Sequence, residues 1–184
     1  MEKAIKLLVW GLLFLLIDIR INTLDIIHDA IGYILLYTGM KSLPHSKWVT
    51  YAKTSAIILA VLSVIEIMGF GNININETNR DFTWEIAAIG GISILSLFFH
   101  MNLLSSMLVM TPDKEVLRSV GKFKRFYFSI QLIIILTFPA ILLFRDWVTG
   151  YLLIIIVTGL IVEIIYIVKI NSFKRYISST EHTS

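Results

Sequence analysis

A chain of 184 residues in which 57% are hydrophobic and only 16% are charged, with a mean hydropathy of +0.81, falls well short of the roughly 25% charged residues that a water-soluble domain carries. It has no cysteine, which excludes disulfides, thiolate metal sites and cysteine nucleophiles. The net charge of +3 reads as cytoplasmic anchoring charge rather than nucleic-acid affinity, because long apolar runs make lipid the solvent.

In chain order, Lys3 and Lys6 precede the apolar run Leu7 to Ile17 in the manner of a signal peptide. Asp18 and Arg20 then stand where small residues would be needed for cleavage, so the segment is expected to be a retained first span, about 4–18. A second span is expected over about 26–40. A third covers about 49–70 and a polar loop follows it. The fourth, about 84–110, is long enough to tilt. The fifth runs over about 126–144 and the sixth over about 147–170, with residues 171–184 left as a polar cytoplasmic tail. The expected fold is therefore an all-α polytopic transmembrane helix bundle of about six spans, forming a single transmembrane domain over residues 1–170.

Counting Lys and Arg in the connections orients these spans. One side holds Lys3, Lys6, Lys41, Lys47, Lys53, Lys114, Arg118, Lys122, Lys124, Arg125, Lys169, Lys174 and Arg175; the other holds only Arg20, Arg80 and Arg145. That asymmetry is the positive-inside pattern, and it predicts both termini in the cytoplasm. Asp18, Asp25, Asp29, Glu77, Asp81, Glu85 and Asp146 all fall on the predicted outer side. Trp48, Trp84 and Trp147 sit at predicted span ends, where amphipathic rings favour the interface.

Two sets of polar residues are candidates for chemistry. The first is an outer polar site of Asp18, Arg20, Asn22, Asp25, Asp29, Tyr33 and Glu66. Polar groups at 18, 20 and 22 alternate with Ile19 and Ile21 as in an extended stretch. Asp25, His28, Asp29 and Gly32 then recur at helical spacing, and Thr23 or Asp25 is placed to cap the second helix. Arg20 paired with Asp18 or Asp25 is the structural alternative to an anionic pocket for a cation or basic peptide. The second set is an intramembrane polar pair, His100 and Glu163, with Asn102, Gln131 and Tyr166 as neighbours. Ionisable residues at membrane depth face the protein interior and find partners. Here the choice lies between interhelical glue worth about 1 kcal/mol, a transport or proton-relay role, and interfacial snorkelling.

Three further features concern partners. Ala52, Ala56, Ala60 and Ser63 make a small-residue face on the third span, suited to close helix packing or to a homodimer. Lys114, Arg118, Lys122, Lys124 and Arg125, with Phe123 and Phe126 close by, form a basic segment suited to anionic lipid headgroups. The four histidines are scattered over different depths, so no metal or cofactor is expected. Nucleic acid is not an expected partner either, because the basic segment is short and hugs the membrane.

The pattern Asp18, Arg20, Ile21, Asn22, Asp25, Ile26, Asp29, Ile31, Gly32 and Tyr33 resembles the D-x-R-I-N-x-x-D-I-x-x-D-x-I-G-Y first hairpin of small multi-pass membrane proteins of Bacillus-like bacteria. The resemblance spans about the first 40 residues and departs at His28, where proline is expected. It implies a bacterial plasma-membrane protein and brings no activity with it. There is no H-E-x-x-H, G-x-S-x-G or Walker loop. Small size and minimal loops point first to a non-enzymatic accessory, regulatory or immunity-type protein. The alternatives are a transporter or channel for a cation, proton or small solute using Glu66, His100 and Glu163, and an intramembrane enzyme acting on lipid headgroups.

Overall fold

The computed structural model describes residues 1–17, 20–21, 24–25, 29–67, 84–111, 113–143 and 148–181, of which 20–21, 24–25, 66–67, 84–86, 138–143, 148–149, 152 and 174–181 are described at the backbone only. Among the described residues the chain forms six helices: α1 (Glu2–Leu16), α2 (Asp29–Lys41), α3 (Lys47–Ile67), α4 (Trp84–Met110), α5 (Lys114–Leu143) and α6 (Val148–Glu181). Apart from them there is a two-residue antiparallel ladder, β1 (Arg20–Ile21) with β2 (Leu24–Asp25), in which Arg20 lies opposite Asp25.

Local chemistry sets several of the helix ends. Asp113 Oδ1 accepts the backbone N–H groups of Glu115 (2.7 Å) and Val116 (3.4 Å), satisfying donors that the first turn of α5 leaves free. Ser46 Oγ does the same for Val49 N at 3.2 Å ahead of α3. Because Asp113 starts a helix, the basic segment after it is the first three turns of α5, continuous with the apolar stretch that follows. The fifth helix therefore begins well before the expected residue 126, and α6 carries through most of the expected tail to Glu181. The described part of α2 starts at Asp29, and the cap expected at Thr23 or Asp25 concerns a stretch that, apart from the backbone of the ladder, lies outside the described residues.

Three helices have windows long and apolar enough to cross a membrane: 47–65 in α3, 87–110 in α4 and 153–173 in α6. Their outer faces carry large exposed apolar side chains, such as Val61 (54%), Ile94 (59%) and Ile156 (66%). A water-soluble protein does not leave such continuous surfaces bare, and they fit a membrane protein. α1 and α2, with 15 and 13 residues, rise only about 22 Å and 20 Å, short of a hydrocarbon layer of about 30 Å.

The helices pack as a closed ring: α1 on α2, α2 on α3, and so on to α6, which returns to α1. Neighbours run antiparallel. Gly11 faces Gly32 and Leu36, while Gly39 faces Ala4 and Leu8. Likewise Ser119 meets Lys169, and Tyr127 meets Glu163. This alternation gathers Lys6, Lys41, Lys47, the basic turns of α5 and Lys169 at one end of the ring.

The α1–α2 contact is the tightest in the bundle. A Cβ on Gly11 would lie 2.8 Å from Gly32 O, and one on Gly32 would lie 3.0 Å from Gly11 O. Only glycine lets the two backbones come this close. The small-residue face of α3 is also used within the chain, with Ala52 and Ala56 fully buried and Ser63 nearly so. Ala56 and Ala60 lie across a groove from Ala30 and Tyr33 of α2.

Candidate polar centre inside the helix ring

α4 carries Ser93, Ser96 and His100 on one face, at helical spacings of three and four. α5 presents Tyr127 and Gln131, again four apart, and α6 presents Glu163 and Tyr166. The ring turns these faces toward each other. Each group then takes a defined partner.

Glu163 Oε1 accepts the Tyr127 hydroxyl at 2.6 Å and the Gln131 amide at 3.0 Å. The His100 ring lies edge-on to Tyr166, with centroids 4.9 Å apart, and is tilted against Tyr127 at 5.7 Å. Tyr166 donates to the His100 carbonyl at 3.0 Å, tying α6 to α4. His100 Nδ1 lies 2.8 Å from the Ser96 carbonyl oxygen. A carbonyl can only accept, so Nδ1 carries a proton and Nε2 is the ring nitrogen turned to the gap.

Nε2 points at Glu163 Oε2 across 3.9 Å. That exceeds hydrogen-bond reach, and neither atom has another hydrogen bond among the described residues. The His100 side chain is only 8% exposed and that of Glu163 is 25% exposed. Two polar atoms thus face each other with a gap between them, one on a buried side chain and one on a partly exposed one. Buried groups in this condition call for a bridging donor or ion.

The gap opens into a cavity. One lobe, of about 200 Å³, is lined by Leu12, Leu15, Leu16, Asp29, Tyr33, Ser96, His100 and Glu163. A second lobe, of about 270 Å³, extends between α4 and α5 and shares Tyr33, Ser96 and Glu163 with the first. Leu15, Leu16 and Asp29 belong to the ends of α1 and α2 farthest from the basic end. Toward the basic end, fully buried Phe99, Leu103, Leu104, Met107, Tyr166 and Ile170 close the ring. The cavity is therefore one-sided.

The residues singled out from sequence fall as follows. Asp29 and Tyr33, from the outer set, line the same cavity as His100 and Glu163, so two sets kept apart in sequence share one space. Tyr33 also stands edge-on to Phe99 at 6.2 Å. Arg20 and Asp25 are opposite each other in the backbone ladder, and Asp18 and Asn22 lie outside the described residues. Glu66 sits in the last turn of α3, but its side chain lies outside the described residues as well. Gln131 and Tyr166 join the centre, whereas Asn102 bonds to Phe98 O of its own helix at 2.7 Å and takes no part. Tyr127 and Ser96 were missed, although Tyr127 lies one turn from Gln131 and Ser96 one turn from His100.

Lys124 also departs from the expected basic set. It turns inward, donates to Ser105 Oγ at 2.6 Å and stands 5.8 Å from the Trp48 ring. Burial holds its ammonium below the usual lysine value. Lys114, Arg118, Lys122 and Arg125 stay exposed, along one stripe of α5 at spacings of four, four and three. Among the described residues no three His, Asp or Glu side chains come together as a metal site.

No family model matches the chain, and neither a curated protein nor a solved structure does so.

Proposed function

We propose that this is a non-enzymatic, six-pass protein of a bacterial plasma membrane, with both termini cytoplasmic, whose polar centre takes up a proton or small cation from the outer side. The carrying observation is the open 3.9 Å gap between His100 Nε2 and Glu163 Oε2 at the floor of a one-sided cavity. Glue alone would close that gap into a direct hydrogen bond. An acid and a base held apart inside a membrane instead suit transient occupancy.

Several observations support the topology. The apolar part of α5, from Phe126 to Leu143, has no charged residue and is long enough to be a fourth full crossing beside α3, α4 and α6. α1 and α2 complete the count as a short hairpin, with the ladder residues continuing toward the outer surface. The basic end faces the cytoplasm by the positive-inside rule, so the cavity faces out. The resemblance of the first hairpin to small multi-pass proteins of Bacillus-like bacteria supports the same location.

This reading takes up the transport alternative and leaves the accessory role as what the protein does for its cell if uptake proves to be a signal. Flux separates the possibilities. In proteoliposomes, the parent chain is expected to dissipate an imposed proton or Na⁺ gradient faster than empty vesicles. Glu163→Gln is expected to fall to the empty rate while keeping its helical circular dichroism. A folded Glu163→Gln protein with the parent's rate sinks the proposal.

At the cytoplasmic end, the exposed stripe Lys114, Arg118, Lys122 and Arg125 suits anionic lipid headgroups, each charge contributing about 1 kcal/mol near the surface. α5, with 30 residues, is about 45 Å long, so its first turns clear the hydrocarbon. Anionic nanodiscs should raise the melting temperature above that in zwitterionic ones. Replacing all four with Gln should remove the difference; an unchanged difference argues against the stripe.

A further inference from the structure

We propose that the ligand of this centre is a compact primary ammonium compound, a short aliphatic or polar body ending in –NH₃⁺, an inference that rests on the cation reading above and names its chemical class. The atoms around the gap define the head group. Glu163 Oε2 accepts, and with Nδ1–H donated to Ser96 O the acceptor position of the His100 ring is Nε2. A single nitrogen about 2.8–3.0 Å from each fits between atoms 3.9 Å apart. It must donate at least two hydrogens in divergent directions, as a primary ammonium with three N–H groups does.

The sign of the charge follows from the walls. Among the described lining residues the carboxylates are those of Asp29 and Glu163, and Glu163 Oε2 is the one turned to the gap.

The body follows from volume and polarity. A hard cation such as Ca²⁺ or Mg²⁺ takes about six or more oxygen ligands, whereas the described lining offers two carboxylates among apolar Leu12, Leu15, Leu16, Ile92, Leu97, Ile134 and Ile135. Lobes of about 200 and 270 Å³ each exceed the space of several waters, at about 30 Å³ apiece. They are smaller than the roughly 300–1,000 Å³ of drug-sized sites. A hollow with apolar walls on one part and convergent polar atoms on the other takes a small organic molecule with an apolar body and a polar head, and here a cationic one.

The test uses the full chain in lipid nanodiscs and titration calorimetry with n-butylammonium, n-butanol, tetramethylammonium and Na⁺. Saturable binding of n-butylammonium is expected, with n-butanol and tetramethylammonium at least tenfold weaker, since one lacks the charge and the other lacks N–H donors. Glu163→Gln should weaken n-butylammonium at least tenfold. Ser93→Leu, which fills the second lobe without touching Glu163, should weaken it too and serves if Glu163→Gln does not fold. Equal binding of n-butanol or tetramethylammonium overturns the inference, as does unchanged binding in a folded variant. If n-butylammonium fails to bind while Glu163→Gln abolishes proton or Na⁺ flux, the inference falls and the cation reading stands. If n-butylammonium fails to bind and flux is indifferent to Glu163→Gln, both fall.

Discussion

The two carboxylate oxygens of Glu163 have different surroundings, and the difference sets what the residue does. Oε1 is held by Tyr127 and Gln131, while Oε2 is left toward His100 and the cavity. Tyr127→Phe removes the shorter hydrogen bond, 2.6 Å long, and leaves Gln131 to hold the carboxylate alone. The expected cost is about 1 kcal/mol in unfolding experiments in detergent; an unaltered stability would mean that the hydroxyl does not hold Glu163. His100 and Glu163 were legible in sequence because an ionisable group in an apolar run stands out against the energetic cost of lipid. Tyr127 was not, because a tyrosine near the start of an apolar segment is equally at home at an interface. The clue was its spacing from Gln131, which puts both on one face of α5.

At the scale of elements, the α1–α2 hairpin fixes where Asp29 and Tyr33 stand in the cavity wall. Its backbones meet at Gly11 and Gly32, where any Cβ would come within 3.0 Å of the opposite chain. Gly32→Leu should therefore push the pair apart and cost about 1–3 kcal/mol or more, read as a lower detergent midpoint. Gly90→Leu, at a glycine with nothing within 4 Å, is the matched control and should be near neutral. Equal effects at both positions would contradict the close crossing. Apolar runs in the sequence announced the helices, but these glycines did not show as a contact, because a crossing between two helices depends on which residues come opposite. The length of α5 beyond its apolar stretch was not legible for a related reason. Charge marks where a helix leaves lipid, whereas the Asp113 cap marks where the helix begins.

For the whole molecule, the antiparallel ring does two things at once. It collects the basic residues at one end, and it turns the polar faces of α4, α5 and α6 inward around a cavity that the apolar packing closes on the basic side. The charge asymmetry was readable because it depends only on counting residues between apolar runs. The shared cavity of Asp29, Tyr33, His100 and Glu163 was not readable, because it requires α2 to stand against α4 across the ring. On the proposed topology, the cavity that ends at His100 and Glu163 opens to the outside. The chain has no native cysteine, so single cysteines can be labelled in intact, cell-wall-stripped cells with a membrane-impermeant cationic thiol reagent. Ser93→Cys, in the cavity wall, is predicted to label from outside, and Asp113→Cys, at the basic end, only after permeabilisation. Labelling of Asp113→Cys in intact cells, or of Ser93→Cys only after permeabilisation, would contradict the account.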